Sequence, residues 1–564
     1  MHIACIYFRE NFFIGKGISG KNVYNLFRSI YLTIPLGVCY ISSSLKVAGH
    51  DAEILFYNMQ QEEVYNKISK TDKLVLLSVT TEVDYERAKN VIENIKKKYP
   101  KIKVGVGGPY PTLVPEDMMA NKDIDMVCIG EGEIANVEYA KQVEKEQYHK
   151  TDNLWIRDNN GEIIKCDRSI VIEDIDSLPY PERDGWLNGF SEKFKQNQTR
   201  QPILLERGCN NKCTYCSHHA LSKKQEGKYL RRRNIDKVIE EIEYICIRYP
   251  YTKVIRFVAD NALSNPKYFI ELCQKLIKFN EKRGKKIRFH FSLNISREAL
   301  KYKEEIVSLM KKANVVAFNI GLQSVSLDIR KKLCRPYYTN EELEEFIYIT
   351  KSAGIISTID ILWHPYLYTK QIYKETFRYL KKIQPFNVAI YWLIPTKGTE
   401  LYKDKDKIVS YENATLIDKL RFKILGYRLF YEIHGRKEAF KNIYLFLYGI
   451  IEKQIANRIV NTIANAINRV RNIFARLEEY KQESFQVKAK QEFDKKNYRQ
   501  AIKYFNKISI DKTNYWIYGD RGIAKMNIGD YNGAIKDLNK ILELEPKDIY
   551  KEKREECLEK MNKK

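Results

Sequence analysis

Three closely spaced cysteines carry the most distinctive chemistry in this chain. Cys209, Cys213 and Cys216 fall within Arg207-Gly-Cys-Asn-Asn-Lys-Cys-Thr-Tyr-Cys216. Thiolates are soft ligands suited to iron–sulfur clusters, whereas closed structural zinc sites take four protein ligands. No further cysteine follows until Cys246, which lies in the interior of a predicted helix. Three ligands on a four-iron cube leave one iron open to a cofactor or substrate. A second reading adds His218 or His219 as the fourth ligand of a structural zinc. The apolar run 202–206 just before the motif is a predicted strand, so the cysteines sit at a strand's carboxyl end, where α/β enzymes keep their chemistry.

The elements that must hold this loop form an α/β series. Short β-branched runs at 202–206, 254–258, 286–293, 315–320, 356–362 and 387–393 predict six strands. Helical stretches at 236–247, 267–279 and 341–352 lie between them. Right-handed crossovers would close these strands into a partial or full barrel over 196–410. An earlier series, with strands at 2–7, 52–57, 73–79, 103–106 and 125–129 and helices at 35–47 and 85–98, predicts a doubly wound, Rossmann-like sheet over 1–165. The paired prolines of Ser177-Leu-Pro-Tyr-Pro-Glu-Arg-Asp184 mark a linker over 166–195. Residues 411–486 read as helical throughout.

The final segment, 487–564, contains a repeat. Asn497-Tyr-Arg-Gln-Ala-Ile-Lys-Tyr-Phe-Asn506 recurs as Asp530-Tyr-Asn-Gly-Ala-Ile-Lys-Asp-Leu-Asn539, an offset of 33 residues. This resembles the tetratricopeptide repeat, a helix–turn–helix unit of about 34 residues. Two copies are few for independent stability, so they are expected to dock on the preceding helices. Such a surface suits a peptide, protein or carrier-bound substrate.

Composition narrows the setting. The formal charge of +25 comes from lysines spread over every segment with no clustered basic face, which disfavours a nucleic-acid partner. Eleven cysteines without a secretory leader predict a reducing, cytoplasmic setting without disulfides. The longest apolar run, 443–451, is about half of the roughly 20 residues needed to span a bilayer.

With Tyr215 at the aromatic position, the cysteine motif resembles the C-x3-C-x-aromatic-C pattern of the radical S-adenosylmethionine superfamily. The resemblance implies a [4Fe-4S] cluster whose open iron binds the amino and carboxylate groups of S-adenosylmethionine. One electron then cleaves the sulfonium to a 5′-deoxyadenosyl radical, so an electron donor such as a flavodoxin or ferredoxin is expected. Matching strand ends imply further cofactor contacts at Asp260 and Asn261, at Ser292 and Asn294, and at Gln323 and Ser324 of the Gly-x-Gln-Ser segment. Asn261 departs from the second acidic residue usual there. Pro395-Thr-Lys-Gly-Thr-Glu-Leu401 matches the segment after the last strand. Where the family has a Gly-x-Pro-Gly-Glu type loop, this chain has Asp360-Ile-Leu-Trp-His-Pro-Tyr-Leu-Tyr368. Trp363, His364 and Tyr366 are expected at the active-site mouth, as substrate-stacking groups, a proton donor or simply a packed loop.

The first domain resembles that of the cobalamin-binding subclass through Ile34-Pro-Leu-Gly37, Gly49-His-Asp51, Gly107-Gly-Pro-Tyr-Pro-Thr112, Gly130-Glu-Gly-Glu133 and the Pro-Tyr-Pro-Glu-Arg linker. Gly-rich loops at a sheet's carboxyl edge let backbone approach a flat ligand. Candidate cobalamin contacts are Ser78, Thr80, Thr81, Gly107, Gly108, Thr112, Gly130, Glu131 and Gly132. The Asp-x-His-x-x-Gly motif that gives cobalt a histidine elsewhere is absent. The resemblance implies methylation of an unactivated carbon. Radical rearrangement, or ring or thioether formation without methyl transfer, is the alternative within this chemistry. A sheet that only buttresses the barrel, and an adaptor protein with a structural cluster, are the readings outside it.

Overall fold

The computed structural model describes residues 1–8, 34–57, 68, 73–185, 199–284, 286–408, 485–508, 510 and 515–562. The helices expected over 411–484 and the apolar run 443–451 lie outside them. Two compact units divide the chain, Met1–Glu452 and Lys453–Lys564. Among the described residues no helix is long and apolar enough to cross a membrane.

The first sheet is built from β1 (His2–Phe8), β2 (Asp51–Tyr57), β3 (Leu74–Ser78), β4 (Lys103–Gly107), β5 (Met126–Cys128), β6 (Leu154–Arg157) and β7 (Ile163–Lys165). Its order is β2-β1-β3-β4-β5-β6-β7. Pairing is parallel as far as β5 and antiparallel beyond it. The antiparallel edge was not predicted, because strands of three or four residues hold too little alternation to stand out.

Its helices are α1 (Leu36–Val47), α2 (Glu82–Lys98), α3 (Pro109–Leu113), α4 (Pro115–Met119) and α5 (Glu133–Lys145). Ala88, Val91, Ile92 and Ile95 of α2, with Tyr110, Leu113 and Met118, form the core on one face. Val38, Cys39 and Leu45 of α1 and Ala135, Tyr139 and Val143 of α5 fill the other. A strand sheet buried on both faces must read as continuous apolar runs, as Leu74–Ser78 does.

The linker is fastened by charge. Buried Arg183 donates to Glu241 Oε1 at 2.6 Å and to the Pro202 carbonyl at 3.1 Å. Glu241 also pairs with Arg233, which holds Asp176 at 2.6 Å.

The second sheet contains β8 (Arg200–Leu204), β11 (Val254–Val258), β12 (Arg288–Leu293), β13 (Val315–Gln323), β14 (Ile356–Trp363) and β15 (Asn387–Trp392), with β9 (Glu206–Arg207) and β10 (Arg231–Arg232) as a separate two-stranded ladder. The six strands run in the order β15-β14-β13-β12-β11-β8, all parallel, with β8 and β15 at the edges. Between the cysteines and β11 lie α6 (Ser217–Ser222) and α7 (Ile235–Arg248). Phe257, Phe289, Phe291, Phe318, Ile359, Ile361 and Trp363 point to the helix-covered face. The alternate positions Arg256, Ser292, Asn319, Thr358 and Asp360 stay half-buried on the other face.

In the second unit the repeated segments fall on the equivalent helices Tyr498–Phe505 and Tyr531–Leu544. Small residues allow close packing there. A Cβ on Gly522 would lie 2.9 Å from Leu538, and Ala501, Ala524 and Ala534 are wholly buried.

Candidate functional site

The cysteine loop follows β9, just beyond the carboxyl end of β8, through Gly208. That residue has φ +85°, and a Cβ on it would come within 2.2 Å of the Tyr229 carbonyl. Only glycine fits. The Thr214 amide donates to the Leu333 carbonyl at 3.3 Å, and the Leu401 amide donates to Thr214 at 2.9 Å. The loop is thus pinned from two sides. Cys213 is buried, while Cys209 and Cys216 keep partial exposure. Burial pushes the Cys209 thiol up to about 12 and raises that of Cys216 as well. Iron must displace those protons on binding.

Arg335, which the sequence reading did not single out, organises this site. Its buried guanidinium donates to the Gly321 carbonyl at 3.0 and 3.1 Å, to Tyr215 Oη at 3.4 Å and to Asn294 Oδ1, and lies 3.6 Å from Cys213 Sγ. A Cβ on Gly321 would lie 2.7 Å from Arg335 and 2.4 Å from the Gln323 side chain, which explains the glycine of Gly-x-Gln-Ser. Every one of these hydrogen-bond partners is neutral. A buried cation so placed favours an anionic neighbour, such as cluster thiolates or a carboxylate.

Around it stand most of the expected cofactor residues. Asn294 Nδ2 donates to the Asp260 carbonyl at 3.2 Å. Asp260 Oδ1 lies 3.2 Å from His218 Nε2, and Tyr229 Oη lies 3.2 Å from His218 Nδ1. Burial alone would lower the basicity of His218, but its bond to Asp260 prevails and raises it. The Asn261 amide donates to Glu206 Oε1, a buried carboxylate that Arg232 approaches at 3.2 Å. Burial pushes the Glu206 carboxyl up to about 7 against these two partners. Ser292 is half-buried on β12. Ser324 is fully buried and accepts the Ser326 amide, which makes it a turn residue rather than an open contact.

His218 is engaged by Asp260, and among the described residues no group of three His, Cys, Asp or Glu is placed to hold one metal ion. Three thiols at the end of β8, beside a buried cation, fit a larger cluster that spreads its ligands.

At the mouth the expectation is corrected. β14 extends to Trp363, so strand parity turns that side chain into the helix-side core, 5.1 Å from Trp392. His364 is buried and its Nδ1 accepts the Tyr366 amide at 3.0 Å, closing a turn. Tyr366 alone of the three is exposed.

On the first sheet's carboxyl edge, Ser78 is half-buried and Thr80 exposed. Thr81 is spent as the N-cap of α2, in a capping box with Asp84. Thr112 Oγ1 donates to the Gly108 carbonyl at 2.8 Å and accepts the Gly130 amide at 2.9 Å, tying two loops together. The glycines are required by the protein itself. A Cβ on Gly108 would lie 2.7 Å from the Val79 carbonyl, on Gly130 2.6 Å from Gln225, on Gly132 2.6 Å from Asn136 and on Gly107 3.2 Å from Cys128. All four remain half-buried at the strand ends. The edge therefore offers backbone and the hydroxyls of Ser78 and Thr80, which fits a broad ligand with amide side chains.

The two edges meet. Ala220 and Leu221 of α6 belong to the core that contains Tyr110 and Leu113. A Cβ on Gly398 would lie 2.9 Å from Leu113, and Lys397 pairs with Asp117. Glu131 is taken up here by Arg231 and the Ile172 amide rather than left open to a ligand.

This fold and site define a two-domain class. Residues 27–140 match the family model of the B12 binding domain, and residues 203–395 match that of the Radical SAM superfamily. A [4Fe-4S] cluster, S-adenosylmethionine and cobalamin are the cofactors of that domain pair.

Among curated proteins, the chain is similar to bacteriochlorophyllide d C-12(1)-methyltransferase of Chlorobaculum tepidum, with 26% identity over 229 residues. The matched stretch covers 40% of this chain and 43% of that protein, less than half its length. Cytidylyl-2-hydroxyethylphosphonate methyltransferase of Streptomyces wedmorensis is 20% identical over 57% of this chain and 67% of its own. In fold, the chain resembles the radical S-adenosylmethionine methyltransferase TsrM of Kitasatospora setae, solved with cobalamin and a [4Fe-4S] cluster (TM-score 0.53, 13% identity, covering 71% of this chain and 76% of that one). The cobalamin-dependent S-adenosylmethionine radical enzyme OxsB, with aqua-cobalamin and S-adenosylmethionine bound, gives a TM-score of 0.52 at 14% identity, over 100% of this chain and 75% of its own.

Proposed function

We propose that this protein is a cobalamin-dependent radical S-adenosylmethionine methyltransferase acting on an unactivated carbon. One observation carries the reading: the cysteine loop opens where the carboxyl edges of the two sheets meet, with α6 seated in the first sheet's core. The cluster supplies the electron that cleaves S-adenosylmethionine, and cobalamin supplies the transferable methyl group. The chain's own residues bind and orient. Cys209, Cys213 and Cys216 hold three irons. Asp260 receives the S-adenosylmethionine amino group and Arg335 its carboxylate, with Tyr215 and Asn294 fixing Arg335. Gln323 and Ser292 line the rest of that pocket. Ser78, Thr80 and the Gly107–Gly108 and Gly130–Gly132 backbones meet the corrin, while Thr112 holds the loops in place. Tyr366, at the mouth, contacts the substrate.

A flavodoxin or ferredoxin delivers the electron in a cytoplasmic setting. The repeat helices at 487–564 present a peptide, protein or carrier-bound substrate, and deleting them should weaken its binding. Unchanged affinity without them removes that role.

The test is anaerobic reconstitution with iron, sulfide and hydroxocobalamin, followed by dithionite and S-adenosylmethionine. Corrin absorbance that survives desalting, and 5′-deoxyadenosine, are expected from the wild type. S-adenosylhomocysteine should accompany them once substrate is present. Its absence alongside 5′-deoxyadenosine and substrate turnover would assign rearrangement instead.

A further inference from the structure

Four charged side chains join the loop after β5 to the cysteine loop. Arg231 forks onto Glu131, with Nη2 to Oε1 at 2.7 Å and Nη1 to Oε2 at 2.9 Å, and also donates to the Ile172 carbonyl at 2.6 Å. Glu131 Oε2 accepts the Ile172 amide at 2.6 Å. Arg207 Nη1 reaches Glu131 Oε1 at 3.4 Å, its Nη2 pairs with Glu133, and its guanidinium lies 5.2 Å from the centroid of the Tyr40 ring. The Arg231 and Glu133 side chains are 4% and 5% exposed, and those of Glu131 and Arg207 only 13% and 15%. Two carboxylates balance two guanidiniums in a poorly hydrated seam, where fork geometry makes the contact directional.

The seam's position gives it meaning. Arg207 and Arg231 face each other in the β9–β10 ladder. Arg207 is followed by Gly208, which is jammed against Tyr229, and then by Cys209. Glu131 lies between Gly130 and Gly132 in the loop predicted to meet cobalamin, and Gly130 is itself pressed against Gln225 of the second domain. Glu131 is thus linked to Cys209 through Arg207 and Arg231 and through Gly208, which packs against Tyr229.

We propose that Glu131, Glu133, Arg207 and Arg231 form a clasp that positions the cobalamin loop against the cluster loop and so fixes the separation of the two cofactors. This rests on the function proposed above. The four are positioning residues, acting through the loops rather than on the substrate. Geometry at the reacting centres is what such a clasp protects, since a displacement of about 1 Å can cost on the order of 100-fold in rate.

Two measurements on the full chain test it. In the first, hydrogen–deuterium exchange is followed in cofactor-free protein for wild type, Glu131→Gln and Arg231→Lys. Glu131→Gln lies in the first domain, yet exchange across 207–216 in the second should quicken by on the order of 10-fold. Arg231→Lys keeps the charge without the fork, and should show a smaller rise. Unchanged exchange in that segment for both variants overturns the clasp, whether or not cobalamin binds.

In the second, the loaded protein is reduced and the magnetic interaction between cluster and cob(II)alamin is read by electron paramagnetic resonance. One well-defined interaction is expected in wild type and a weakened or broadened one in Arg231→Lys, with 5′-deoxyadenosine still formed. An interaction identical in the two proteins, both cofactors bound, overturns the proposal. A wild type that retains no corrin after desalting defeats the underlying function instead, and the exchange measurement still decides whether the clasp exists.

Discussion

Arg335 shows how one side chain can set a site's charge. Its guanidinium spends its donors on Gly321, Asn294, Tyr215 and Cys213, none of them a carboxylate, and Asp360 feels its charge without a hydrogen bond. Replacing Arg335 with Met should weaken S-adenosylmethionine binding by about 2 kcal/mol, on the order of 30-fold, as read by equilibrium dialysis. Arg335→Lys should fall between. Glu206 makes an opposite case. Its folded carboxyl is raised to about 7, above its unfolded value, so its contribution to stability is complete below the unfolded value and is lost as pH rises through 7. The loss amounts to about 3 kcal/mol. Melting of cluster-free protein from pH 5 to 8 should decline in wild type and flatten in Glu206→Gln. The cysteine triplet was legible because its spacing is local and its chemistry specific. Arg335 and Glu206 were not, because an arginine in a loop and a glutamate at a strand end become special only when distant backbone groups converge on them.

At the level of elements, periodicity found every strand of both sheets longer than four residues. It missed the short antiparallel strands β6 and β7, and it fell short where a strand ran one residue further than its apolar run suggested. That single residue moved Trp363 from mouth to core. The glycine loops were located correctly, but each glycine answers a close protein neighbour, which no sequence pattern reveals. Two substitutions probe this level. Gly208→Ala forces a Cβ against the Tyr229 carbonyl at a positive φ, a strain of about 1–3 kcal/mol. It should lower the iron and sulfide retained per chain after reconstitution. Leu221→Ala removes an apolar side chain of α6 from the first domain's core, and should cost about 2–3 kcal/mol of unfolding free energy in urea titrations.

Over the whole molecule, the charge of +25 becomes a kinetic property rather than a structural one. Encounter with an acidic electron donor should be steered by that field and screened by salt, whose Debye length shrinks from about 10 Å at 0.1 M to about 3 Å at 1 M. Cluster reduction by an acidic flavodoxin, followed by stopped flow, should slow steeply over that range. Reduction by dithionite sets the baseline for the protein's own response. The chain divides into units at Glu452/Lys453, whereas the sequence reading placed its boundaries where the strands stop, near 411, and at the repeats, near 487. The contact between the two sheets was not readable in the sequence, since it depends on pairs such as Arg231 with Glu131, a hundred residues apart.

The seating of Ala220 and Leu221 in the first sheet's core also dictates an order of biogenesis. During synthesis the first domain emerges well before α6, so its apolar notch beside Tyr110 and Leu113 stays open to water until the cysteine loop has left the ribosome. A fragment ending at residue 165 would keep that notch permanently, and should be prone to self-association. The growing chain completes its first core only by drawing in α6, the helix that follows directly on the cysteine segment.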